Sequence, residues 1–395
     1  MRLAPARPVG ARPPFAVVVA VTAVGTLGMH LIVPALPATA QALGVSEAAI
    51  QLTITLYLIG LAAGQLLYGP LSDRFGRRPV LIGGLALFTA AGALTALAPT
   101  AGTLIAARVV QALGGCAGIV LGRAIVRDAA APERAAAQLA LLTLVMSMAP
   151  AIAPAIGGYA TAWAGWRAGF VMLAAIGAAA TLAAVLFLPE TNEGTGLRRS
   201  MLAPSLRLLR SRAFCGFAIG GACTTTSFYA FMAASPFIFI DLLHQTEQRV
   251  GLYYMLLMLG VATGGLLGNR LAGRVRLGHV VRLANGIALA AAGGFAAVYA
   301  AGLLSVPAVV GTIALFMVGA GLASPFAITG AISINPQAVG AASGLYGFVQ
   351  MSYGALCTVI VETWRPGSVL TVAVVLLGST VVGQAALSVA LRERR

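Results

Sequence analysis

The sequence predicts an all-α membrane protein of twelve transmembrane helices, arranged as two six-helix pseudo-repeats with both termini on one side. Three observations carry this reading. Hydrophobic residues make up 59% of the 395 and charged residues only 9%, against roughly 25% charged in a soluble globular protein. Apolar runs close to the ~20 residues that cross a ~30 Å hydrocarbon core recur along nearly the whole chain. Every one of the 25 basic residues is arginine, and their placement is one-sided.

In order, the runs are residues 15–37, 49–71, 79–98, 102–126, 138–161, 166–188, 213–240, 249–269, 279–302, 306–332, 338–361 and 367–390. They are apolar on every face. A β-barrel, which needs short alternating segments and a polar lumen, is excluded. The first run follows Arg2, Arg7 and Arg12 and precedes Ala38-Thr39-Ala40, a pattern signal peptidase accepts. Its apolar stretch exceeds the ~7–15 residues of a signal peptide core, so the first helix is expected to be retained.

With the N-terminus placed in the cytoplasm, 21 arginines fall on that side and 3 on the other (Arg167, Arg249 and Arg365), with Arg108 inside a span. This is the positive-inside pattern, and it supports an even number of spans with N-in, C-in orientation. The formal charge of +15 therefore reflects topology, and nucleic acid is not an expected partner. Cys116, Cys215, Cys223 and Cys357 all lie in spans without paired spacing; they read as small packing residues rather than metal or redox groups.

The organisation follows: a cytoplasmic tail (1–14), a first six-helix half (15–188), a linker (189–212), a second half (213–390) and a tail (391–395). The linker, PETNEGTGLRRSMLAPSLRLLRSR, is the one segment with a clear shift in composition. Its part from Ser205 to Arg212 reads either as a short basic amphipathic helix on an anionic leaflet or as solvated chain. A faint repeat supports the halves: Leu66, Leu67, Leu71 and Arg74 recur 200 residues later as Leu266, Leu267, Leu271 and Arg274.

The most informative stretch is GPLSDRFGRRPVL, Gly69 to Leu81. A tight turn between spans needs glycine freedom, and an acidic residue within a basic turn needs a partner. With Gly69, Asp73, Arg74, Gly76, Arg77 and Arg78 at these spacings, the stretch resembles the signature loop of the major facilitator superfamily. The resemblance implies that Asp73 faces the N-terminus of the eleventh span, where the helix dipole favours negative charge. It also implies that Arg77 pairs with an acidic residue at the end of the fourth, where Asp128 stands. RVVQALGG from Arg108 is similar to the superfamily's R-x-x-Q-G-x-G pattern, with Ala112 in place of Gly. A buried Arg in an apolar span is costly and calls for a watered cavity or a partner. Gly114, Gly118 and Gly122 follow as a small-residue packing stripe.

Pro150, Pro154, Gly157 and Gly158 in APAIAPAIGG resemble the kinked fifth helix of the antiporters in this superfamily. VPALP, RAIVRD, GWRAGF, ASPF and GAASGLYGFVQ narrow the resemblance to the bicyclomycin and chloramphenicol resistance (Bcr/CflA) branch of drug:proton antiporters. That branch implies two halves rocking about a central cavity, export of small amphipathic compounds from the inner membrane, a proton gradient as energy source, and no cofactor or metal. By the same resemblance Met29, Tyr57, Gln111, Phe228, Tyr229, Phe231, Met232, Tyr254, Tyr346 and Gln350 are candidate cavity residues, although each alone is read more simply as packing or lipid contact. The protein is expected to act as a monomer, with small-molecule substrate, protons and lipid as its partners.

One departure matters. Where the branch carries Asp in the first span, this chain has His30, and all ten acidic residues read as lying at helix ends or in loops. By helical rise His30 lies about 6 Å and Arg108 about 9 Å beyond the midplane, at one level. The pair are the candidates for proton coupling; His30 is read either as a titrating group or as a neutral packing residue. The alternatives are an uncoupled facilitator or metabolite exporter of the same fold and, more remotely, a membrane-embedded enzyme.

Overall fold

The computed structural model describes residues 13–130, 132–192, 202–272, 274–335, 339–364 and 368–393. Among them are helices and connecting turns and no strand. The helices are α1 Phe15–Leu43, α2 Glu47–Phe75, α3 Arg77–Ala96, α4 Ala101–Ala129, α5 Pro132–Ala164, α6 Arg167–Phe187, α7 Leu202–Leu209, α8 Arg212–Leu242, α9 Glu247–Leu271, α10 Leu277–Ala300, α11 Val306–Ile332, α12 Val339–Trp364 and α13 Val369–Arg392. Apart from α5 and α7, each contains a segment long and apolar enough to cross a membrane. α5, at 33 residues, is the longest helix described.

Most helices outrun the apolar runs that announced them, because hydrogen bonding continues until a cap, a glycine or a proline stops it. Ser46 caps α2 by accepting from Ala49 N (3.3 Å), and Thr246 caps α9 by accepting from Arg249 N (3.4 Å). Thr100 and Thr103 form a reciprocal capping box at α4. α2 ends at Gly76, whose φ of +93° suits glycine alone. α1 tightens to a 3₁₀ turn at Val33–Ala35, around Pro34. α8 breaks between Thr225 and Phe228 and widens to a π turn at Ile238–Leu242, just beyond Pro236. The linker forms the short helix α7, with Leu206, Arg207 and Leu209 exposed and Leu208 buried. The helix covers Ser205 to Leu209 of the segment read as Ser205 to Arg212, and Arg212 begins α8.

Helices α1, α3, α4 and α6 pack on one another, with α2 on α4. In the C-terminal group α8, α10, α11 and α13 interlock, with α9 on α11. Between the groups the extensive contacts are α2 on α12 and α5 on α9. Exposed large side chains such as Trp163, Leu94, Leu259, Leu266 and Val381 cover the perimeter, as lipid-facing surfaces require. We call the end carrying residues 43–47 the Arg-poor face and the end carrying 73–78 the Arg-rich face.

Candidate functional site

At the Arg-rich face the chain turns at Gly76 and starts α3 with Arg77, whose side chain becomes a hub. Arg77 Nε donates to Asp128 Oδ2 at 2.9 Å, and its Nη1 donates to Asp73 Oδ1 at 2.5 Å and Ser72 Oγ at 2.6 Å. The Asp128 pairing is the one the resemblance implies. Asp73 differs: its charged partner is Arg77 on the next helix, while residues 336–338, just before α12, lie outside the described residues. Glu190 completes the hub. Its two oxygens accept from Arg77 N (2.9 Å) and Arg78 N (3.1 Å), placing a carboxylate on the N-terminus of α3, where the exposed amides and the dipole favour it. A Cβ at Gly76 would lie 2.6 Å from Glu190 Oε2, so the glycine also makes room for that carboxylate. Arg78 reaches Val185 O (2.8 Å) and Arg74 stacks over the Phe75 ring (4.9 Å). Ser72 in turn donates to Gly69 O at 3.0 Å.

Deeper in the N-terminal group, Arg108 is fully buried. Its Nη1 donates to Gly28 O (2.8 Å) and to Gln111 Oε1 (2.6 Å), and its guanidinium lies 4.1 Å over the Tyr57 ring. Tyr57 donates to Gly25 O at 2.8 Å. Arg108 Nε and Nη2 and Gln111 Nε2 meet no partner, leaving donors directed into the interior. His30 sits one short step along α1 from Gly28, so the level matches the expectation from helical rise, but its side chain meets different partners. Its Nδ1 is 2.9 Å from Thr26 O, and its ring centroid lies 6.4 Å from that of Tyr229 on α8. His30 thus stands where the two helix groups meet.

The proposed cavity lining is largely enclosed. Phe231 packs edge-on against Phe239 and Phe295 (6.2 and 6.3 Å between centroids), and Phe228 against Tyr254 (6.5 Å). Tyr254 pairs with Ser235 Oγ (2.6 Å) and Met232 O (3.2 Å). Gln350 Nε2 donates to Thr225 Oγ1 (2.9 Å) and contacts Tyr346 OH (3.4 Å). Met29 is buried as well. Aromatic packing inside the C-terminal group takes up Phe228, Phe231, Met232 and Tyr254, the simpler reading given for each alone. A cavity of about 430 Å³ lies instead at the Arg-rich ends of α1, α4 and α5, lined by Pro13, Phe15, Val18, Val126, Ala129, Ala130, Arg134 and Gln138.

The fifth-span motif works by contact. α5 runs as one helix through Pro150 and Pro154. A Cβ at Gly157 would fall 1.7 Å from Leu31 O, and one at Gly158 2.6 Å from Glu247 O of α9. Gly251 of α9 returns the approach, its Cβ position lying 2.6 Å from Ala155 Cα. Backbone therefore meets backbone across the two groups near the Arg-poor face. On the other side of the molecule, Gln51 Nε2 donates to Ala233 O (3.3 Å).

Beside Gln51 lies the residue that sequence reasoning missed. The last apolar run before Trp364 ends at 361, which left Glu362 as a helix-end carboxylate. α12 instead continues to Trp364, and Glu362 is buried, 5% exposed, against α2. The Thr55 hydroxyl of α2 contacts Glu362 Oε1 and lies 2.6 Å from Thr358 Oγ1. Glu362 Oε2 has no partner. Glu362 lies in the last turn of α12, a helix end as read, but that end is buried against α2. Its sequence signal was helical phase: Glu362 stands one turn beyond Thr358, on the face that meets α2. Among the described residues, no cluster of three or more metal-ligating side chains occurs, and the four cysteines are free.

The sequence profile of the Major Facilitator Superfamily matches residues 18–358. The chain is 37% identical over 253 residues to a chloramphenicol resistance protein of Pseudomonas aeruginosa, a match spanning 63% of this chain and 59% of that protein. It is 28% identical over 349 residues, 86% of each chain, to a bicyclomycin resistance protein homolog of Haemophilus influenzae. Among solved structures, a bacterial homolog of the human lysosomal transporter Spinster superposes with a TM-score of 0.73 at 16% identity, covering 96% of this chain and 98% of that one. These relatives agree with the Bcr/CflA resemblance read from the motifs. With its apolar helices and a family match over most of its length, this chain is a multi-pass membrane transporter, not an enzyme, and it belongs to the major facilitator superfamily.

Proposed function

We propose that the protein exports small amphipathic compounds, drugs among them, across the bacterial inner membrane by alternating access, coupled to protons moving inward. The observation that carries this reading is the two-group architecture: the groups meet chiefly along α2–α12 and α5–α9, so they can rock about those seams while packing inside each group persists. The names of the relatives, chloramphenicol and bicyclomycin resistance proteins, supply the substrate class. The interior favours such ligands, being mostly apolar and aromatic with few polar anchors. Arginine asymmetry supports N-in, C-in orientation, and the chain is proposed to work as a monomer. His30, where the two groups meet, and Arg108, at its level within the N-terminal group, are the proposed proton-coupling groups.

Efflux-deficient cells expressing the chain, exposed to a panel of antibiotics and dyes, test export directly: raised resistance with lower accumulation supports it, and unchanged accumulation of every compound overturns it. A second reading, an uncoupled facilitator or metabolite exporter, draws support from His30 standing where the branch has Asp. Uptake into inverted vesicles that is indifferent to an imposed pH gradient would favour that reading.

A further inference from the structure

The contacts around Glu362 contain more hydrogen bonds than the two neighbouring hydroxyls can supply. Three oxygen pairs lie within bonding reach in series: Glu362 Oε1 to Thr55 Oγ1, Thr55 Oγ1 to Thr358 Oγ1 (2.6 Å), and Thr358 Oγ1 to Ala355 O (2.8 Å). Each threonine carries one hydroxyl hydrogen. Thr358 donates to Ala355 O, which can only accept. The Thr55 hydroxyl is placed to donate to Thr358 Oγ1 and to Glu362 Oε1, and its single hydrogen serves one of them at a time. Hydrogen-bonding all three contacts at once takes a third proton. An ionised Glu362 cannot provide it; a protonated carboxyl can.

The surroundings agree. Glu362 is 5% exposed and Oε2 has no partner, so among the described residues an ionised form would be a buried charge without a cation, which costs several kcal/mol in general. Charged groups are scarce on the helices packed against α12. Glu47 of α2 is on the same side, eight residues from Thr55 and about 12 Å away by helical rise. Asp73 and Arg74 of α2, Arg207 of α7, Arg212 of α8 and Arg392 of α13 lie at the opposite ends of their helices. α11 carries no titratable side chain. Asp241 of α8 is a second carboxylate at the Arg-poor end, and the remaining titratable groups on these helices are phenols and thiols: Tyr57 and Tyr68 of α2, Cys215, Cys223 and Tyr229 of α8, and Tyr346, Tyr353 and Cys357 of α12 itself. None of them forms an ion pair with Glu362 among the described residues.

We propose that Glu362 is a proton-binding site of the transport cycle, filled when α2 and α12 close on each other at the Arg-poor face. The proton passes from water at that face to the carboxylate as the seam closes, forming the O–H bond that donates to Thr55 Oγ1. When Thr55 and Glu362 separate, water reaches the carboxyl and the proton returns to water, so no other reactant is needed. Closure and protonation are thereby linked, and the proton stabilises the closed seam. This site is separate from His30, and it rests on the reading of the protein as an alternating-access transporter.

The test reads conformation rather than export, so its outcome does not depend on which compounds are carried. Spin-labelled unnatural amino acids at Leu97 and Leu303, exposed residues at the Arg-poor ends of the two groups, report the distance between groups in lipid nanodiscs and leave the cysteines in place. For one linked proton the closed-to-open ratio changes by up to about tenfold per pH unit, rising as pH falls. In Glu362→Gln, which keeps shape and donor but cannot ionise, the ratio is expected to stay within about twofold over the same range. A Glu362→Gln protein that keeps the parent's pH-dependent distances overturns the proposal, as does a parent whose distances ignore pH. Dicyclohexylcarbodiimide, which attacks protonated carboxyls, gives a second measurement on the unsubstituted chain. Mass spectrometry is expected to find the adduct on Glu362, increasing as pH falls; its absence at every pH overturns the assignment.

Discussion

Arg77 Nε donates to Asp128 Oδ2 at 2.9 Å across 51 residues of sequence, tying the start of α3 to the end of α4. Through Arg77 the same guanidinium holds Asp73, four residues earlier on α2. Three helices of the N-terminal group are thus locked at the Arg-rich face by one side chain that is 10% exposed.

The two carboxylates are expected to differ in weight. Asp128, with a side chain 23% exposed, is enclosed enough that Asp128→Asn should cost about 1–3 kcal/mol of stability. Asp73 is half exposed, and its loss should cost under about 1 kcal/mol. Asp73→Asn should nonetheless impair transport, because it frees α2 from Arg77 during rocking, while insertion stays intact. Export assays alongside thermal unfolding of the purified variants decide it; a well-expressed Asp73→Asn protein that transports normally defeats the gating role.

Gly251→Val is expected to abolish transport by keeping α9 off α5. The Cβ position already lies 2.6 Å from Ala155 Cα and 2.7 Å from Pro154 O, and overpacking of this kind costs about 1–3 kcal/mol. Since the clash is with backbone, trimming the neighbour by Ala155→Gly should not restore activity. Recovery of export in the double variant would show that side-chain crowding, rather than backbone approach, governs the seam.

His30→Gln keeps a polar side chain that can reach Thr26 O but cannot titrate near neutral pH. Proton-driven transport is expected to fall in this variant and its pH dependence between about pH 5.5 and 8.5 to weaken, the remainder belonging to Glu362. Parent-like rates throughout that range would remove His30 from coupling and leave Glu362 as the carboxyl to examine.

Membrane residence and the positions of the helices were legible in the sequence, and the Arg77–Asp128 pair was implied by the resemblance to the superfamily's signature loop. Their causes are local or periodic: a run of about 20 apolar residues has one low-cost solution in lipid, arginines report sidedness, and a Gly-Asp-Gly-Arg-Arg turn needs its charges paired nearby. Glu190 on the N-terminus of α3 was less legible, since its partners are backbone amides of residues 77 and 78 that a sequence does not display.

What only the tertiary structure decided concerns groups far apart in the chain. Thr55 and Glu362 are 307 residues apart, and neither a hydropathy window nor a motif joins them. Hydropathy ended the span at the first charged residue, but an α-helix continues as long as its backbone bonds are made, and it carried Glu362 into the seam. Likewise, composition identified aromatic residues suited to a cavity, yet whether Phe231 faces a ligand or Phe295 depends on which helix lies opposite. The sequence determined by itself that this chain lives in a bilayer as a bundle of apolar helices, because lipid imposes that on each segment separately. Which buried polar atoms meet, and which go unpaired, was settled by helix against helix.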